Sequence, residues 1–175
     1  CFKKVAKIVI SEQHVHRKVA VVVSAMGGKP KVTDLLLSLI ELALNANTTG
    51  YDAVIETIKT KHIDVINELI DESGRQSLIA KISKDLDGIR VILQAVTIMK
   101  LADARVTGIV GGHGELWSAQ ILAALLSQST ANGGGGVPYH FLDARKTLVI
   151  ASGIVTAGPE VLWEETEAKL PAEMV

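Results

Sequence analysis

With 175 residues, 48% of them hydrophobic and only 3% aromatic, the chain can build one domain whose core must come from Ile, Val, Leu and Ala. Its 18 basic and 19 acidic residues leave a net charge of −1, which excludes the electrostatic footprint of a nucleic-acid binder or of a protein drawn to an anionic membrane. A single cysteine, Cys1, excludes an internal disulfide and suits a reducing compartment, and no stretch reaches the roughly 18 uncharged apolar residues of a membrane span.

The N-terminal "CFKKVAKIVI" has lysines beside apolar residues but no small-residue cleavage site, so it does not read as a signal peptide. It lacks an initiator Met, and the chain is expected to begin in mid-protein, inside a helix. Phe2, Val5, Ala6 and Val9 stand at helical spacing over residues 2–10. "HVH", 14–16, reads as part of a polar connector; a metal pair there would need further ligands, and Glu12 alone does not complete a site. "KVAVVVSA", 18–25, is a β-branched run that reads as a strand buried on both faces, as in a parallel sheet. "MGGKPK", 26–31, is a loop, and a helix is predicted from about Thr33 with Val32, Leu35, Leu36, Leu39 and Ala43 on one side.

Two amphipathic helices follow. Tyr51, Val54, Ile55, Ile58, His62, Val65, Ile66 and Leu69 form one stripe over 51–70. Ile79, Ile82, Leu86, Ile89, Leu93 and Val96 form another over 76–100, with polar "DESGRQ" joining the two. His62 on its stripe reads as a core-edge histidine. "IVGGHGELWSAQILAALL", 109–126, opens a helix with a carboxylate, Glu115, directly behind a Gly-Gly-His-Gly turn. A helix start favours an acid, because its free N–H groups carry partial positive charge. That does not account for three glycines, which allow a sharp turn or a close approach. Two readings stay open: a charged helix start on a tight loop, or a carboxylate facing a ligand. A structural role is expected for His113, and packing roles for Trp117 and Trp163.

"STANGGGGVP", 129–138, is a flexible loop; "YHFLDA" reads as a short strand and "KTLVIAS" as another, before a loop with Gly158-Pro159 and a charged helix over 160–170. Asp143 and Arg145 stand two apart, able to reach one side of a sheet edge or simply to pair. Strand, glycine turn and helix alternate at both ends with helices between. The expected fold is therefore α/β, with a mostly parallel sheet, helices on its faces and a helical insert.

"VVVSAMGGKPKVTDLLL" is a second candidate site. In open α/β sheets ligands bind at the carboxyl ends of strands, where loop N–H groups and a helix start attract anions. Ser24 and Thr33 could donate hydroxyls there, and Lys29 and Lys31 could add charge. The plainer reading makes Thr33 or Asp34 an N-cap. Neither lysine is followed by Ser or Thr in the frame of a Walker loop.

Taken together, these stretches resemble the aspartate kinases of the amino-acid kinase superfamily. "VVVSAMGGKPKVTDLLL" is similar to the family's strand–loop–helix "VVSA…VT(D/N)LL", "GGHGELWSAQILAALL" to its "G-E-x-x-S-A" helix start, and "FLDARKTLVI" to its "D-x-R" strand. The wording of "KVTD" and "GHGELWSAQ" is closest to the kinase half of plant-type bifunctional aspartate kinase–homoserine dehydrogenases, and the match runs in order over most of the chain. The resemblance implies a layered α/β/α fold and phosphorylation of the β-carboxylate of L-aspartate by Mg-ATP, the first step towards Lys, Thr, Met and Ile. It implies that Thr33 binds L-aspartate and Glu115 faces its α-ammonium, with Ser24, Ser118 and Arg145 as weaker carry-overs. No catalytic residue, metal ligand or ATP-binding residue is assigned. It also implies a homo-oligomer, a fused homoserine dehydrogenase half, ACT regulatory domains, and a cytoplasmic or plastid-stroma location.

The family opens with a "K-F-G-G-T-S" strand and turn, whose lysine stabilises the transferring phosphoryl group, and its later half carries "D-G-S-D" and "T-D-V-D-G" nucleotide segments. None of these is found here, and "MGGKPKVTD" is longer than the plant-type spacing. Residues 1–175 are accordingly expected to be the N-terminal, aspartate-binding part of such a kinase domain, inactive by themselves. Another amino-acid kinase and a non-catalytic binding module of the same fold are the alternatives.

Overall fold

A computed structural model describes residues 1–16, 19–131, 139–151 and 160–173, with backbone only for His14, His16, Thr130, Ala131 and 171–173. The described residues form two compact units, 1–139 and 140–175.

Every named element of the first unit is a helix. It contains α1 (Phe2–His16), α2 (Val32–Leu44), α3 (Thr48–Leu69), α4 (Glu72–Met99), α5 (Ala104–Gly111) and α6 (His113–Ala131). The apolar stripes explain the packing. Leu36, Leu39 and Ala43 of α2 meet Ile55, Ile58 and Ile66 of α3 and Ile82, Leu86, Ile89 and Leu93 of α4 in one buried core. Among the described residues Tyr51, Trp117 and Met26 are its only buried Phe, Tyr, Trp, Met or Cys members, so the expectation of an aliphatic core holds.

Helices α3 and α4 run antiparallel. Arg90, late on α4, pairs with Asp52, early on α3, at 2.9 Å. Only Ile70 and Asp71 separate the two helices, so most of "DESGRQ" is helical rather than a linker. Two side chains make so short a connection workable. Arg75 donates to the carbonyls of Ile70 (2.6 Å) and Asn67 (2.8 Å), which a helix end leaves unpaired. Gln128 of α6 donates to the Leu69 carbonyl at 2.6 Å and accepts from the Asp71 N–H at 3.0 Å.

The α/β expectation is wrong, because among the described residues there is no strand. Residues 19–25 carry strand-forming side chains but pair with no strand among the described residues, and a strand exists only by pairing. The two-faced burial read from "KVAVVVSA" fails as well: Val22 is 98% exposed. "HVH" is not a connector, since its backbone completes α1, and residues 129–131 complete α6 rather than start a loop. Residues 132–138 and the Gly158-Pro159 loop lie outside the described residues.

The second unit holds α7 (Ala144–Thr147) and α8 (Trp163–Glu173). "YHFLDA" forms no strand, and "KTLVIAS" contributes a single isolated antiparallel bridge, Ile150 to Val161. That bridge is extended by Ala151 N–H to Glu160 C=O (2.9 Å) and Leu162 N–H to Val149 C=O (2.8 Å). The buried Thr166 hydroxyl then accepts from the Val149 N–H at 3.0 Å. Trp163, expected to pack, is 66% exposed.

Candidate functional site

The glycine stretch before Glu115 is no loop: a one-residue turn at Gly112 is all that separates two helices. Gly112, between α5 and α6, has helical angles (φ −68°, ψ −11°), and its N–H bonds to the Gly108 carbonyl at 3.0 Å. The two helices follow each other almost without a break, so α6 does not begin as a free N-terminus. The close-approach reading holds at one position. A Cβ on Gly114 would lie 2.7 Å from the Ala25 Cβ and 3.3 Å from Val32 Cγ1, a gap no real side chain tolerates. What approaches is the chain's own segment 25–32.

Glu115 is half-buried, and its Oε1 accepts a hydrogen bond from the Ala25 N–H at 3.3 Å, across 90 residues of sequence. The other carboxylate oxygen has no partner among the described residues. Ser118, one turn further along α6, is buried with its hydroxyl unpaired among the described residues, a rare condition for a buried polar atom.

Thr33 is half-buried and second in α2. Neither it nor Asp34 is the N-cap. Lys31 takes that position without a side-chain bond, because the fully buried Val32 already begins the helix against Gly114. Ser24 is exposed, and no hydrogen bond reaches its side chain among the described residues. The structure thus brings the two stretches together at Ala25–Glu115 and Val32–Gly114, with Thr33 beside the second contact.

Arg145 belongs to the second unit. Its Nε and Nη2 fork onto Asp143 at 2.9 and 2.7 Å, which holds the Asp143 carboxyl below the usual range. The ion-pair reading of these two residues therefore holds.

Two features escaped the sequence. Trp117 is wholly buried, donates Nε1–H to Asp85 at 3.0 Å and lies between two histidines, with ring centroids 4.9 Å from His62 and 5.6 Å from His113. Lys61 reaches from α3 to the Pro30 carbonyl at 2.7 Å. Neither partnership has a local pattern, since 32 and 31 residues separate the members.

The chain is 34% identical over 85% of its length to bifunctional aspartokinase/homoserine dehydrogenase 1, chloroplastic, of Arabidopsis thaliana. It is 31% identical over 98% of its length to the second such enzyme of Zea mays, and 32% identical over 93% to that of Daucus carota. This chain belongs to the bifunctional aspartokinase/homoserine dehydrogenase family. It spans 15–18% of the length of those family members. No protein-family model and no solved structure matches it.

In this family member His62 is a core residue, not a core-edge one. Its Nδ1 lies 2.7 Å from the Ile58 carbonyl, and because a carbonyl only accepts, Nδ1 carries the ring proton. Nε2 is then a bare acceptor without a partner among the described residues. Burial lowers the His62 pKa below its ordinary value near 6.5; the bond to Ile58 opposes this and the Lys61 charge adds to it. Between the folded value and about 6.5 the unfolded chain binds more protons, so this contribution is full above about pH 6.5 and is lost as pH falls below it. Urea midpoints should therefore drop between pH 7.5 and 5.5, and less so in His62→Gln. An equal drop in both proteins would show that His62 is not the group responsible.

Proposed function

We propose that this chain carries the L-aspartate-binding part of an aspartate kinase, which phosphorylates the β-carboxylate of L-aspartate with ATP to give β-aspartyl phosphate. The names of its relatives support the enzyme class. The supporting observation from the chain itself is the Ala25 N–H to Glu115 Oε1 bond, which joins the two candidate stretches. A half-buried carboxylate with one oxygen to spare suits the α-ammonium of an amino acid, and the Thr33 and Ser118 hydroxyls suit its carboxylates. Phosphoryl transfer needs positioning and charge stabilisation rather than a covalent protein step, so binding residues are the contribution expected of such a segment.

Among the described residues no group of three His, Cys, Asp or Glu side chains could hold a metal ion. The longer protein would combine this segment with the remaining kinase, homoserine dehydrogenase and ACT parts, act as an oligomer, and reside in a plastid, as the chloroplastic relatives suggest. A kinase for an N-blocked amino acid is the competing reading; a blocked amine has no use for Glu115. The test is a calorimetric titration of the chain with L-aspartate and with N-acetyl-L-aspartate, where the free amine should bind at least tenfold more tightly.

A further inference from the structure

We propose that Lys61 is a positioning residue: from α3 it holds the loop Gly27–Lys31 and thereby sets the geometry of Thr33 and Ala25. The inference rests on the aspartate reading for its ligand, but not for its mechanics.

The loop is exposed along its whole length and joins Ala25, which is bonded to Glu115, to Val32, which packs on Gly114. At its neck the Val32 N–H bonds to the Met26 carbonyl at 3.1 Å. At its tip the hydrogen bond to it from outside is Lys61 Nζ to Pro30 C=O at 2.7 Å. Two adjacent glycines make the loop soft, and a segment of this composition has many conformations to lose on ordering. A charge-assisted bond from a rigid helix selects one of them.

The anchor is well founded. His62, the next residue of α3, is wholly buried edge-on against Trp117, which lies two residues after Glu115. One turn of α3 therefore meets both the loop before Thr33 and the helix that carries Glu115. Gly28 fits the same arrangement: its φ is +101°, and a Cβ there would sit 3.2 Å from Lys61 Nζ. Between loop and helix lies an open groove of about 520 Å³, lined by Lys29 and Pro30 on one side and Thr57, Thr60, Lys61 and Asp64 among the residues on the other, which leaves the loop free to move once released.

The experiment compares the wild-type chain with Lys61→Met, which keeps the stem and loses the donor, and Lys61→Arg, which keeps a donor. Amide hydrogen exchange is followed at Ala25 and Val32, whose N–H groups bond to the Glu115 carboxylate and the Met26 carbonyl, alongside calorimetry with L-aspartate and a thermal melt. Lys61→Met should exchange faster at these amides and bind L-aspartate roughly threefold to fivefold more weakly, the scale of an exposed ion contact. Its melting temperature should stay unchanged, and Lys61→Arg should restore both properties. Unchanged exchange in Lys61→Met would overturn the proposal, as would faster exchange at unchanged affinity. If the wild-type chain binds no L-aspartate, the aspartate reading fails, and the exchange data still decide whether Lys61 holds the loop.

Discussion

Replacing Glu115 by glutamine should weaken L-aspartate binding roughly tenfold to a hundredfold while leaving the fold intact. The side chain has two tasks that the substitution separates. Its Oε1 accepts from the Ala25 N–H at 3.3 Å, and a glutamine carbonyl can still do that. Its negative charge is what an α-ammonium would seek, and glutamine lacks it. Losing a charge-assisted contact of this kind costs on the order of 1.5–3 kcal/mol, which sets the fold-change. Glu115→Ala removes both tasks and should also loosen the 25–32 segment. In an active enzyme containing this chain, either change should raise the KM for aspartate far more than that for ATP. Equal effects on the two substrates, or unaltered affinity in Glu115→Gln, would remove Glu115 from the site.

The largest loss of stability is expected from Trp117→Ala. The indole is wholly buried between His62 and His113 and satisfies Asp85 through Nε1–H at 3.0 Å. Truncation opens a cavity where α3, α4 and α6 meet, at a cost of about 3–5 kcal/mol. That is a large share of the 5–15 kcal/mol that typically holds a domain together. Asp85 would also lose its partner. Trp117→Phe keeps most of the apolar volume and gives up the donor, so its cost should be about 1–3 kcal/mol. Urea unfolding followed by circular dichroism measures both, and Trp163, which is exposed, adds no core signal of its own. A Trp117→Ala midpoint within error of the wild type would mean that the three-ring cluster does not hold α6 in place.

Helices α2, α3 and α4 were legible because a 3.6-residue apolar period is written locally. The stripes through Leu36 and Leu39, Ile55 and Ile58, and Ile82 and Leu86 are the ones found buried. That no sheet forms among the described residues was not legible, because β-branched composition describes only half of a strand and the partner supplies the rest. Residues 19–25 have the composition and, among the described residues, no strand to pair with. At the glycine stretch one of the two reasons the sequence offered, close approach, holds at Gly114. Gly114 is small because Ala25 and Val32 press against it, not because the backbone turns there. The Asp143–Arg145 pair was readable at a spacing of two residues. The Trp117–Asp85 and Lys61–Pro30 bonds were not, since only the folded chain brings such distant residues together.

In the proposed reading the segment 24–33 and the start of α6 together bind a small amino acid by its charged amine. Calorimetric titration of the chain with L-aspartate and N-acetyl-L-aspartate tests it most directly. L-aspartate should bind measurably, with at least a tenfold preference over the acetylated compound that is lost in Glu115→Gln. Equal affinity for the two compounds, or a preference that survives in Glu115→Gln, would contradict it.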